Sequence, residues 1–99
     1  MQVLLQELEK RWDDMFGALA AGDDLPPGQR LRAEGMMEAA VIAGAASGDQ
    51  LDSAMERCYR RAFGRELALD FGEGWRDFHR FPEIPAVARR APVFPGTPD

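Results

Sequence analysis

Apolar positions recur at helical spacing through the first two thirds of the chain and lose that rhythm afterwards. Leu5, Leu8, Trp12, Met15 and Leu19 follow a 3-4-3-4 spacing, which keeps them on one stripe of a helix; Leu4 and Phe16 widen it. Gln6, Glu9, Lys10, Asp13 and Asp14 fill the other side, and Glu7 can pair with Arg11 one turn on. The pattern predicts a helix over about 2–21. Gly22 stands where a left-handed terminator is needed, and Asp23-Asp24-Leu25-Pro26-Pro27-Gly28 breaks the chain.

A second helix is predicted over about 29–47, with a different texture. Gly35, Ala39 and Ala43 lie four apart, as do Ala40, Gly44 and Gly48, while Leu31, Met36, Met37, Val41 and Ile42 supply the larger apolar groups. Rows of small residues let a neighbouring backbone come close. Apolar residues also cover more than half of the circumference, so this helix is expected to be the central one, with Arg30, Arg32, Glu34 and Glu38 marking its wet edge.

Asp49 reads as the N-cap of a third helix over about 49–63, with Asp52 in its first turn. Leu51, Ala54, Met55, Cys58 and Ala62 give its apolar face, Tyr59 and Phe63 broaden it, and Gly64 ends or bends it. Residues 66–71 alternate like a strand that lacks a partner, so short helices, with a final turn or two that packs Trp75, Phe78 and Phe81 back on the bundle, are favoured over a hairpin across Gly72 and Gly74. Five prolines from Pro82 onward exclude a regular helix or internal strand there. The expected architecture is all-α: a bundle of three main helices plus an aromatic C-terminal element over residues 1–81, then an extended Pro-rich tail over 82–99.

Composition narrows the function without fixing it. The chain has 99 residues, 17 acids and 12 bases. Residues 1–55 carry ten acids and four bases; residues 56–99 carry seven acids and eight arginines. A chain this size is one domain with a modest core. One cysteine excludes a disulfide scaffold and fits a reducing compartment. The first residues lack a signal peptide's basic and apolar regions, and the longest uncharged stretch, Ala39 to Gly48, is about half of what a bilayer requires. A cytoplasmic protein with no membrane partner is expected. Arginine makes up eleven of the twelve bases, beside many alanines and glycines, which fits a bacterial GC-rich genome.

No catalytic, cofactor-binding or metal-ligating set emerges. His79 has no second ligand at metal spacing. Cys58 lies on the apolar face of its helix and reads as a small buried hydrophobe. Asp13 and Asp14 diverge by about 100° on a helix, Ser47 and Ser53 sit in no nucleophile motif, and Gly72 and Gly74 lack the context of a phosphate loop.

Two surfaces remain as interaction candidates. Arg57, Arg60, Arg61 and Arg65 run along one side of the third helix and could meet phosphates, the acids of helix one, or a partner protein. A helix-turn-helix reading fails on charge, because Asp49, Asp52 and Glu56 open the would-be recognition helix in a chain of net charge −5. Trp12, Phe16, Trp75, Phe78, Phe81 and Phe94 exceed what a small core easily hides, and the last four are candidate interface anchors. The tail carries Arg89-x-x-Pro92-x-x-Pro95, a weak match to what SH3-type grooves read. The resulting expectation is a non-catalytic regulatory or adaptor protein that works by protein contact, with homodimerisation through helix one or helix two compatible with it. Nucleic-acid binding through the arginine face is the alternative.

Overall fold

A computed structural model describes residues 2–85. Among them are five α-helices and no strand: α1 (Gln2–Ala20), α2 (Pro27–Ile42), α3 (Gly48–Phe63), α4 (Leu67–Phe71) and α5 (Trp75–Phe78). The all-α architecture with three main helices is as the periodicity predicts, and the segment beyond Gly64 forms short helices instead of a hairpin. The tail residues 86–99, including Arg89, Pro92, Phe94 and Pro95, lie outside the described residues.

The stripe of α1 buries Leu8, Trp12, Met15 and Phe16, and α3 contributes Leu51, Met55, Cys58 and Tyr59 to the same core. The most extensive helix contact is between these two. Leu5 and Glu9 near the start of α1 line one groove with Asp49 to Arg57 at the start of α3, whereas towards the other ends Phe16 meets Tyr59 edge-on at 5.2 Å and Asp13 accepts from Arg61 at 2.8 Å, so α1 and α3 run in the same direction. Such a parallel pair needs a return path between its members, and α2 is that path.

This changes the expected role of α2. It packs on α1, barely touches α3, and buries only Ala33, Glu34, Met37 and Ala40. It is a flank, not the centre of the bundle. Gly35, Ala39 and Ala43, expected to bring a neighbouring helix close, face solvent instead. Small-residue spacing specifies a face that permits close approach and carries no information on whether anything approaches it.

Glu34, expected at the wet edge, is buried. Its carboxylate accepts from Arg30 at 2.7 Å and from the backbone N–H of Ile84 at 2.8 Å. Ile84 and Pro85 are buried with it, so the first residues after Pro82 belong to the body. A charged acceptor strengthens both hydrogen bonds, and the one from Ile84 is buried.

Helix ends follow local chemistry. Gly22 (φ +92°) and Gly44 (φ +77°) both terminate helices in the left-handed region. In each case the next residue closes back on the carbonyl five before it, Asp23 on Ala18 and Ala45 on Ala40, both at 2.9 Å. The second of these stops α2 at Ile42, five residues short of the expected end. At α3 the N-cap is Ser47, not Asp49. The Ser47 hydroxyl accepts from the Gln50 N–H at 3.1 Å and the Gln50 side chain accepts from the Ser47 N–H at 2.8 Å, a reciprocal pair that Asp49 cannot form. Asp49 instead occupies the first turn, where a negative charge is favoured.

The buried Glu34 contact predicts a measurable contrast. Glu34→Ala leaves a buried N–H and a guanidinium without their acceptor and is expected to lower stability by about 1–3 kcal/mol. Glu38→Ala, four residues along and exposed, is expected to change it by less than about 0.5 kcal/mol. Urea denaturation of the two variants beside the parent chain checks this.

Candidate functional site

A concave feature lies between the first half of α1, the turn after α2 and the first half of α3. It is an open groove of about 550 Å³. Leu5, Trp12, Ala45, Ala46, Leu51 and Ala54 form its apolar surface, and Glu9, Asp49, Gln50, Ser53 and Arg57 its polar edge. The groove exists because the two helices are held together further along by large side chains, while alanines occupy the positions that would fill this end. Its volume falls in the range of ligand or side-chain pockets. Trp12 is buried, and its indole N–H has no hydrogen-bond partner among the described residues.

The four arginines of α3 and its end divide by partner. Arg61 pairs with Asp13 of α1 at 2.8 Å, Arg60 with Glu66 at 3.1 Å and Arg65 with Asp70 at 2.8 Å. Arg57 is exposed, lines the groove and makes no ion pair among the described residues. The cluster is therefore one unpaired cation on a groove and three cations already facing carboxylates.

The aromatic candidates also divide. Trp75 is a core residue, 2% exposed; its indole N–H donates to Glu56 at 3.1 Å. Arg76 lies over the Trp75 ring and reaches Glu56 at 3.0 Å and the Ser53 hydroxyl at 3.2 Å, so α5 is clamped on α3. Phe81 is half-buried and packs where a Cβ on Gly48 would stand, at 3.4 Å. Phe78 alone of these is open, at 79% exposure, with its ring edge-on to His79. Trp12 and Phe16 are both in the core, so the bundle hides more ring surface than the composition suggests. Phe94 lies outside the described residues.

Two buried groups on α3, Cys58 and Asp52, have shifted acidities. Burial, reinforced by the neighbouring Asp13, pushes the Cys58 thiol up to about 12. Arg61 sits 3.3 Å from the sulfur without reversing this, because its charge is already engaged by Asp13. The thiol therefore stays protonated near neutrality and is a core group, as its periodicity predicts. Asp52, read from sequence as a helix-start acid, is buried with one carboxylate oxygen lacking a partner among the described residues. Burial raises its pKa from 3.8 to about 6; Arg76 opposes the shift, while Asp49 and Glu56 add to it. Sequence could not single it out, because the element that covers it arrives from far downstream. Among the described residues no three potential metal ligands come together, and no helix is long and apolar enough to cross a membrane.

The chain was compared with known proteins, and it matches no family model, no curated protein and no solved structure at a significant level.

Asp52 sets a pH dependence whose sign is opposite to that of a salt-bridged acid. Its folded pKa lies above the unfolded value, so the folded state binds the proton more tightly. The penalty for its charge is full above about pH 6 and disappears as pH falls towards 4. Asp52→Asn is expected to be more stable than the parent at pH 7.5, by about 1–3 kcal/mol. The difference should shrink on moving to about pH 4.5, as read by urea denaturation of both proteins at each pH.

Proposed function

We propose that this chain is a small regulatory or adaptor protein that acts by contact, taking an apolar side chain or short helix of a partner protein into the α1–α3 groove. The observation that carries the reading is the juxtaposition at that groove of a partly exposed apolar floor, formed by Leu5, Ala45, Ala46 and Ala54 over the buried Trp12, with the guanidinium of Arg57, which makes no ion pair among the described residues. A shallow apolar floor with an arginine at its rim suits the apolar anchor of a partner, and arginine is among the residues enriched at interface hot spots. The partner segment best suited to it combines an apolar anchor with a carboxylate placed for Arg57. Cytoplasmic action in a bacterial cell fits the arginine-rich, alanine-rich composition and the single protonated thiol.

The competing reading, nucleic-acid binding through α3, draws less support from the charges. Phosphate binding relies on cations free to displace counterions, and Arg60, Arg61 and Arg65 each face a carboxylate of the same chain. Releasing them would expose Glu66, Asp13 and Asp70 to the same phosphates.

Affinity capture of the tagged protein from a lysate of its source organism, with and without nuclease, tests the reading. A stoichiometric protein that survives nuclease, and whose recovery drops at least about tenfold with Arg57→Glu, is the expected result. Arg57 is exposed and unpaired, so the variant should retain the parent's far-ultraviolet circular dichroism and urea midpoint. Recovery of nucleic acid, with co-purifying proteins lost after nuclease, would overturn the proposal and favour the arginine face.

A further inference from the structure

We infer that the outward face of α2 is a self-association surface, on which a second copy of the chain packs with its α2 running in the same direction. The inference is independent of the groove, which lies on the α1–α3 side of the molecule.

The face is apolar where a surface helix is usually polar. Leu31, Gly35, Ala39 and Ile42 line it; Leu31 is 57% and Ile42 81% exposed. A Cβ built on Gly35 meets nothing within 4 Å, so no described part of the body covers the middle of the face. The row Leu31-Gly35-Ala39 follows the four-residue ridge along which two helices interlock, and its small centre allows the axes to come close.

Charge selects both the occupant and its direction. The face is bordered by Arg32 on one edge and Glu38 on the other, since these residues lie roughly 60° to either side of Gly35 on the helical wheel. Neither is ion-paired among the described residues. The two acids that line a concavity with Arg32 are engaged elsewhere, Glu7 by Arg11 and Asp14 by Lys10, both at 3.0 Å. A two-fold axis parallel to the helices carries the Glu38 edge of one copy onto the Arg32 edge of the other. The two residues then lie about 9 Å apart along the axis, within reach of two long side chains. A two-fold perpendicular to the helices sets like edge against like edge and is disfavoured. The face is thus self-complementary in the parallel arrangement alone. A helix of 16 residues spans about 24 Å, so the contact is small and belongs to the weak, concentration-dependent class of interfaces.

Sedimentation equilibrium of the full chain from about 5 to 500 µM, in low salt, tests this. The expected mass rises from 11.0 kDa towards twice that value. Arg32→Glu and Glu38→Arg singly should each raise the dissociation constant at least about fivefold, and the double exchange Arg32→Glu/Glu38→Arg should restore it. Ile42→Glu should hold the chain monomeric. Arg32, Glu38 and Ile42 are all exposed, and unchanged circular dichroism verifies the fold. A monomer across the whole range overturns the inference, as does a dimer indifferent to these changes or one that the double exchange does not restore. None of these results bears on Arg57-dependent capture, so the two readings fail separately.

Discussion

The parallel packing of α1 on α3 is the constraint from which the remaining architecture follows. Leu8, Trp12 and Phe16 on one helix and Met55, Cys58 and Tyr59 on the other supply most of the large side chains in the core. Two helices can run parallel in one short chain only if a third returns the chain from the end of the first to the start of the second. The glycine-terminated turns at Gly22 and Gly44 reverse the chain twice over loops of a few residues. α2 is consequently committed to spanning the pair rather than to filling it. Its sparse burial follows from this placement, since one narrow side touches α1 and the opposite side is left with Leu31 and Ile42 in solvent.

The C-terminal elements are too short to hold themselves in place. α4 and α5 have five and four residues, far below the length at which a helix is stable alone. Polar anchors fasten them to α3 and α2. The Tyr59 hydroxyl donates to Asp70, which also accepts from Arg65 at 2.8 Å. Trp75 and Arg76 bind Glu56, and Ile84 binds Glu34. Arranging these anchors around partly buried carboxylates has a consequence at Asp52. Trp75 and Arg76 dock on Glu56 and Ser53 of the same helix, and Asp52 is left with a desolvated oxygen and only the charge of Arg76 to offset its burial.

How much of this is legible in the sequence depends on whether the information is local. The stripe of α1, the face of α3 and the choice of short helices beyond Gly64 can all be read, because periodicity and glycine placement act within a few residues. The cap of α3 falls two residues earlier than expected because Asp49 and Ser47 are both good caps, and the reciprocal bond with Gln50 decides between them. The centrality expected of α2 fails for a different reason. Alanine and glycine rows measure how near a neighbour can come, whereas burial depends on where the rest of the chain goes. Glu34 and Asp52 are misread from sequence for the same cause, since Ile84 and Arg76 lie 50 and 24 residues away. Of the candidate site, Arg57 is identifiable as part of a cluster, but its distinction from Arg60, Arg61 and Arg65 requires their partners to be seen. Trp12 belongs visibly to a helix stripe, with no sign that the stripe borders a groove at one end.

The distribution of charge gives these observations a common logic. Seven of the ten bases in the described residues have a carboxylate within 4.0 Å; Arg32, Arg57 and Arg80 are the exceptions. In a chain with more acids than bases, an unpaired guanidinium does not arise from a shortage of partners. Two of the three stand beside uncovered apolar surface, Arg57 at the groove and Arg32 at the edge of the α2 face. Apolar surface alone gives association without register, and an isolated charge gives little affinity in water. Together they would make the proposed contacts both attractive and oriented, because the guanidinium gains a partner only when the apolar groups are docked in one arrangement. Carboxylates of α1 and of the C-terminal elements engage Arg60, Arg61 and Arg65, which leaves Arg57 as the α3 arginine without an ion pair among the described residues, and the proposed contact rests on that difference more than on the size of the cavity.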